Sequence, residues 1–169
     1  MKLTGALFCV TAFLFAGFSY LETEKRKLKA CSGLSDALTV MKNELCAKLL
    51  PLKELTERAS ESSQGCVKLF FEKVLDDFGR IGEEDFSAIW NRTAEESFAF
   101  LTPEQLGMLC RPGTVLGKSA GETQTEALEA TALYFRAEAE RIKEKLPEIR
   151  KLAIGLSACM GLLTVIALI

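Results

Sequence analysis

Histidine is absent from this 169-residue chain. That removes the commonest general base, the commonest metal ligand and the usual partner of a nucleophilic serine or cysteine. Closely spaced cysteine pairs are missing too. The six cysteines are Cys9, Cys31, Cys46, Cys66, Cys110 and Cys159, and no Cys-x-x-Cys appears among them, so the short ligand spacing of a zinc site is lacking. They read instead as small buried hydrophobes in a reducing compartment. Charge of one sign is not in excess: 21 Lys+Arg stand against 23 Asp+Glu, which provides no basic field for nucleic acid. Alternating β-branched runs are scarce, and no internal repeat or low-complexity tract is evident.

Uncharged length at both ends is what the chain does have. Leu3–Leu21 is 19 residues without a charge and Leu152–Ile169 is 18. At about 1.5 Å per residue each helix would span roughly 27–29 Å, near the thickness of bilayer hydrocarbon. A cleaved signal peptide is the alternative for the first segment. That run is long for a signal, however, and no clear small-x-small cleavage site follows it. Phe8 before Cys9 also spoils a lipoprotein box. The expected organisation is therefore a transmembrane helix over 1–21, an all-α domain over 22–151 and a second transmembrane helix over 152–169. Lys25, Arg26, Lys27 and Lys29 follow the first span, and Lys143, Lys145, Arg150 and Lys151 precede the second. Basic residues stay on the cytoplasmic side during insertion, so the central domain is expected in the cytoplasm and both termini on the opposite side.

Between the anchors, helical periodicity predicts a bundle of about six helices. Leu28, Cys31, Leu34, Leu38, Met41, Leu45 and Leu49 form one stripe, with Gly33 as a weak point. Pro51 starts a second helix, and Ser60–Gly65 reads as a loop. A third helix carries Val67, Phe70, Phe71, Val74, Leu75 and Phe78 inward; a fourth carries Phe86, Ile89, Trp90 and Phe98. Thr102, Pro103 and Gln105 make a capping box for the fifth, which Pro112 and Gly113 are expected to stop. The sixth carries Leu128, Ala132, Phe135, Ala139, Ile142 and Leu146, a seam able to pair antiparallel with the first helix. Pro147 is a possible kink before the second span.

Gly117-Lys118-Ser119 imitates the end of a phosphate-binding loop. The imitation fails on spacing, because the first glycine should stand at 112, where the chain has Pro112. A capped helix also occupies the place of the required strand. Ser119 followed by Glu122 reads as a second capping box, with Gly117 left-handed in the turn before it. On that reading Ser119→Ala costs about 1 kcal/mol and Lys118 is dispensable. Glu83, Glu84 and Asp85, ahead of the fourth helix, are a candidate docking patch or a simple complement to the helix dipole. Asp76-Asp77 and Glu95-Glu96 are adjacent in sequence and point apart on a helix, so they form no converging acid/base pair. No catalytic, cofactor-binding or metal-binding residue is assigned, and neither a nucleic-acid nor a small-molecule partner is expected.

The order of an N-terminal span, "PLKEL", "FFEKVL", "AIW", "LGKS" and a closing "GLLTVIALI" resembles the stage III sporulation protein AB family of endospore-forming bacteria. The matching positions are Pro51, Leu52, Trp90, Leu116, Gly117, Ser119, Gln124 and Gly161. Two positions depart from the pattern: Ala120 stands where the family often has Asp, and Pro112 where it has an apolar residue. The resemblance implies a non-enzymatic protein of the mother-cell membrane around the forespore, part of a secretion-like channel. Its soluble part would resemble the cytoplasmic domain of type II secretion and type IV pilus platform proteins. Its partners would be a secretion-type ATPase, stage III sporulation protein AA, and other membrane proteins of the complex. A membrane-anchored scaffold for a partner helix, unrelated to secretion, is the alternative.

Overall fold

The computed structural model describes residues 2–48 and 50–166. They form α1 (Lys2–Lys48), α2 (Leu52–Ser62), α3 (Gly65–Asp76), a 3₁₀ turn (Asp77–Arg80), α4 (Phe86–Ser97), α5 (Pro103–Val115) and α6 (Gly121–Ile166). The six-helix all-α expectation therefore holds. Among the described residues the only β pairing is an isolated bridge between Ile81 and Glu84. The first expected span and the first amphipathic helix are one continuous helix, α1. Likewise α6 runs through Pro147 without interruption. No helix is long and apolar enough to cross a membrane among the described residues. The side chains of 2–16, 18, 153–154 and 156–166 lie outside the described set, and with them most of both expected spans, including Gly161.

The chain divides into two compact units: Lys29–Ala139, and the two chain ends up to Leu28 and from Glu140. In the first of these units α1 buries Ala30, Cys31, Leu34, Ala37, Leu38, Met41 and Leu45. Steps of three and four place these on one face, while Ser32, Asp36 and Asn43 are exposed. The facing seam of α6 buries Leu128, Thr131, Ala132, Phe135 and Ala139. Lys42 Nζ meets Glu129 Oε1 at 2.7 Å, and Cys46 Sγ lies 3.8 Å from Thr125 Oγ1. Four residues forward on α1 correspond to four residues back on α6, so the two helices run antiparallel. Gly33 is a point of close approach: a Cβ there would lie 3.1 Å from Val67 Cγ2 of α3.

The centre of this unit is aromatic. Phe70 of α3 meets Trp90 of α4 edge-on at 4.9 Å, with Phe71 at 4.9 Å and Phe98 at 5.4 Å from Phe70. All four are fully buried. Such pairs add about 0.5–1.5 kcal/mol each beyond the area they remove from water.

Three boundaries differ from expectation. The loop after α2 shrinks to Ser63 and Gln64, because α2 continues to Ser62 and α3 already begins at Gly65. The fourth helix ends at Ser97, so Phe98, expected within it, is its C-cap residue. Pro112 and Gly113 do not stop α5, which continues to Val115. A proline inside a helix cannot donate to the carbonyl four residues back, here Met108. The buried Thr131 hydroxyl of α6 donates to that carbonyl instead, at 3.5 Å. One residue along, the Leu109 carbonyl accepts the indole N–H of Trp90 at 2.8 Å. Trp90 also explains Gly113, where a Cβ would sit 2.5 Å from Trp90 Cδ1. Pro112-Gly113 is thus the socket of the tryptophan.

Candidate functional site

The site is built from the turn between α5 and α6. Leu116 has φ −61° and ψ 127°, Gly117 has φ 77°, and the Lys118 N–H donates to the Val115 carbonyl at 3.2 Å. This is a type II turn, which needs a left-handed residue at its third position and so selects glycine. The Ser119 N–H also donates to the Val115 carbonyl, at 3.1 Å. The Lys118 and Ser119 amides are therefore engaged within the turn and not turned toward an anion.

The second capping box does not form. Helix α6 starts at Gly121, which puts Ser119 one residue ahead of the cap position. Its backbone, not its hydroxyl, is what the structure uses: the Ser119 carbonyl accepts from Gln124 Nε2 at 2.6 Å. By contrast, the box at Thr102 is complete, with Gln105 N–H to Thr102 Oγ1 at 3.2 Å and Thr102 N–H to Gln105 Oε1 at 3.0 Å. Gln105 Nε2 reaches on to Glu138 of α6 at 3.0 Å.

Opposite the turn lies the loop that leads into α4. Arg92 forks between Glu84 at 2.8 Å and Asp77 at 2.9 Å, clamping the 3₁₀ turn and the loop to α4. These two hydrogen bonds, Glu84's first and Asp77's second, raise the guanidinium pKa above its ordinary value. Asp85 occupies the cap position of α4 but makes no cap bond with its side chain. Its carboxylate instead holds Lys118 Nζ at 2.8 Å. Both partners are largely exposed, so the pair contributes about 0–1 kcal/mol.

Between the turn and the loop is an open groove of about 610 Å³. Leu52 of α2, Phe86 of α4 and Leu116 line its inner part. Ile81, Glu83, Glu84, Asp85 and Lys118 stand around them. Of the sequence-picked positions, Leu52, Leu116 and Gly117 thus meet the acidic stretch at one place. A Cβ on Gly117 would lie 3.2 Å from Leu52 Cδ2. Pro51 is the exposed cap residue of α2, its carbonyl accepting the Leu55 N–H at 3.0 Å. Trp90 lies outside the groove, behind Phe86, with ring centroids 5.7 Å apart. Ser119 and Gln124 lock the start of α6. The sequence reading missed exposed Ile81, and it missed the Arg92 fork to Glu84 and Asp77 and the Lys118–Asp85 pair, because ion pairs between distant segments leave no local pattern.

Cys31, Cys46, Cys66 and Cys110 form no disulfide. Cys31 is buried, Cys66 and Cys110 are half-buried, and Cys46 is exposed, so Cys46 departs from the expectation of burial. Burial, and secondarily the charge of Glu95, pushes the Cys110 thiol pKa above its ordinary value. This favours the protonated thiol over a reactive thiolate.

Among the described residues the fold is all-helical and carries a surface cleft of mixed polarity. The chain belongs to the stage III sporulation protein AB family, whose family model matches residues 2–169. That family is a sporulation family and not one of known enzymes. No curated protein and no solved structure matches the chain.

Proposed function

We propose that this protein is a non-enzymatic membrane component of a secretion-like channel between mother cell and forespore. Residues 22–151 would form a cytoplasmic platform for a secretion-type ATPase, stage III sporulation protein AA. Family membership over residues 2–169 carries the reading. The helical continuity of α1 and α6 is in keeping with it. Helices α1 and α6 each include residues of an uncharged end segment and of the central sequence. The basic residues next to each segment support a cytoplasmic body. Gly161 would then serve packing between spans, a role open to small residues in membranes.

Co-purification of the full chain from sporulating cells tests the proposal. Recovery of the secretion-type ATPase is the expected result. Its absence, alongside partners unrelated to secretion, would replace the platform reading with that of a membrane-anchored scaffold.

A further inference from the structure

Three properties of the groove beside the α5–α6 turn act together. Its inner part is apolar: Phe86 and Leu116 are buried and Leu52 is half-buried. At its edge stands Ile81, a large apolar side chain left 43% exposed. Around it are three carboxylates, Glu83, Glu84 and Asp85, against the single ammonium of Lys118. Glu84 is held by Arg92 and Asp85 by Lys118. Glu83 is exposed and has no ion pair among the described residues, so its charge is uncompensated.

These features specify an occupant. Exposed apolar surface beside an apolar cleft favours an apolar side chain from a partner. The excess of carboxylates favours a cation and disfavours an acidic segment or a phosphate. The chain's own Lys118 already demonstrates the preferred contact, an ammonium 2.8 Å from Asp85. The walls are also set in advance by the type II turn and the Arg92 fork, so little ordering is left to oppose binding.

We infer that this groove docks a partner-protein segment carrying one apolar anchor flanked by lysine or arginine. The anchor would lie against Ile81, Leu52 and Phe86, and the cation would meet Glu83. The inference rests on the platform reading only in placing a partner protein against this body.

The test uses the full chain in sporulating cells. The photoreactive residue p-benzoylphenylalanine is placed at position 81, and at position 69 as a control, since Leu69 is the similarly exposed apolar residue of α3. Mass spectrometry then maps the partner peptide. Position 81 should crosslink a segment with lysine or arginine next to an apolar residue, and position 69 should not. Glu83→Lys should lower the crosslink yield about fivefold or more, and Lys118→Ala, which frees Asp85, should preserve or raise it. Thermal melts of the variants show that the fold is intact.

Crosslinks to lipid alone, to an acidic segment, or with equal yield in native and Glu83→Lys chains would overturn the inference. The platform reading would survive the equal-yield result if the ATPase still co-purified. A basic segment mapped to a protein other than the ATPase would uphold the groove while removing the motor.

Discussion

Helices α4 and α5 each serve two places that are held together by different forces. The middle of α4 and the Pro112-Gly113 step of α5 build the Trp90 socket. The start of α4 and the turn after α5 build the groove. In the socket every contact is dry and shape-dependent: Trp90 is fully buried, its N–H is engaged, and Gly113 leaves no room for a methyl group. In the groove the walls are joined by one exposed ion pair and shaped by one turn, and an apolar side chain is left in solvent. Packed interiors respond to a single methylene, whereas exposed ion pairs contribute little. The socket should therefore govern stability and the groove should govern binding. Each glycine shows the division: Gly113 is required by a neighbour and Gly117 by its own backbone angle.

Gly113→Ala is the strongest challenge to this contrast. Its new Cβ would lie 2.5 Å from one ring atom of Trp90 and 2.7 Å from another, so the ring or α5 must shift. Overpacking of this kind costs about 1–3 kcal/mol or more, measurable by denaturant unfolding. Trp90→Phe alone should destabilise as well, through a smaller ring and the loss of the bond to Leu109. The double variant should cost less than the sum of the two, because the smaller ring makes room for the methyl group. Strict additivity would show that Gly113 is not there for the tryptophan.

Gly117→Ala should come next, at about 1 kcal/mol, since φ 77° is unfavourable for alanine and its Cβ would press on Leu52. Unlike Gly113→Ala, it should also weaken partner recovery, because it displaces a groove wall. A loss of stability with partner recovery unchanged would erase the distinction between the two regions.

Much of the socket and part of the groove were legible in the sequence. The apolar periodicities found Phe70, Phe71 and Trp90, because helical spacing is a local property; Phe98 is in the core as expected, but just past the end of α4. The Thr102 box was legible for the same reason, and so was the left-handed Gly117. The role of Pro112 was not. Proline reads as a stop only when no outside donor serves the abandoned carbonyl, and Thr131, the donor to Met108, lies 23 residues away. The groove was seen as separate pieces, Leu52, Leu116-Gly117 and Glu83–Asp85. Nothing in the local pattern says that the three segments meet.

On the buried side, Cys110 supplies a pH test. Its thiol pKa is raised by burial and then by Glu95, so the native state holds the thiol proton more firmly than the unfolded chain does. The stability linked to this group is fully present below the ordinary thiol pKa. It is lost as pH rises through the raised native value. In a chain whose other cysteines are serine, Cys110 should alkylate slowly at pH 8 and accelerate at higher pH. Glu95→Gln should speed the reaction at pH 8 by removing a like charge. A rate that is already at its plateau at pH 8 would contradict the raised value.

Ser119→Ala is expected to have the smallest effect, and it separates the observed turn from the capping box that the sequence suggests. A hydroxyl cap at Ser119 would make the substitution cost about 1 kcal/mol. In the structure the Ser119 carbonyl, not the hydroxyl, accepts the Gln124 bond. Alanine keeps that carbonyl, so the change should stay within about 0.5 kcal/mol. Gln124→Ala removes the donor and should cost about 0.5–1.5 kcal/mol. If Ser119→Ala proved the more damaging of the two, the turn would be held by the serine side chain, and the groove wall at Leu116-Gly117 would depend on a cap rather than on the glycine's backbone angle.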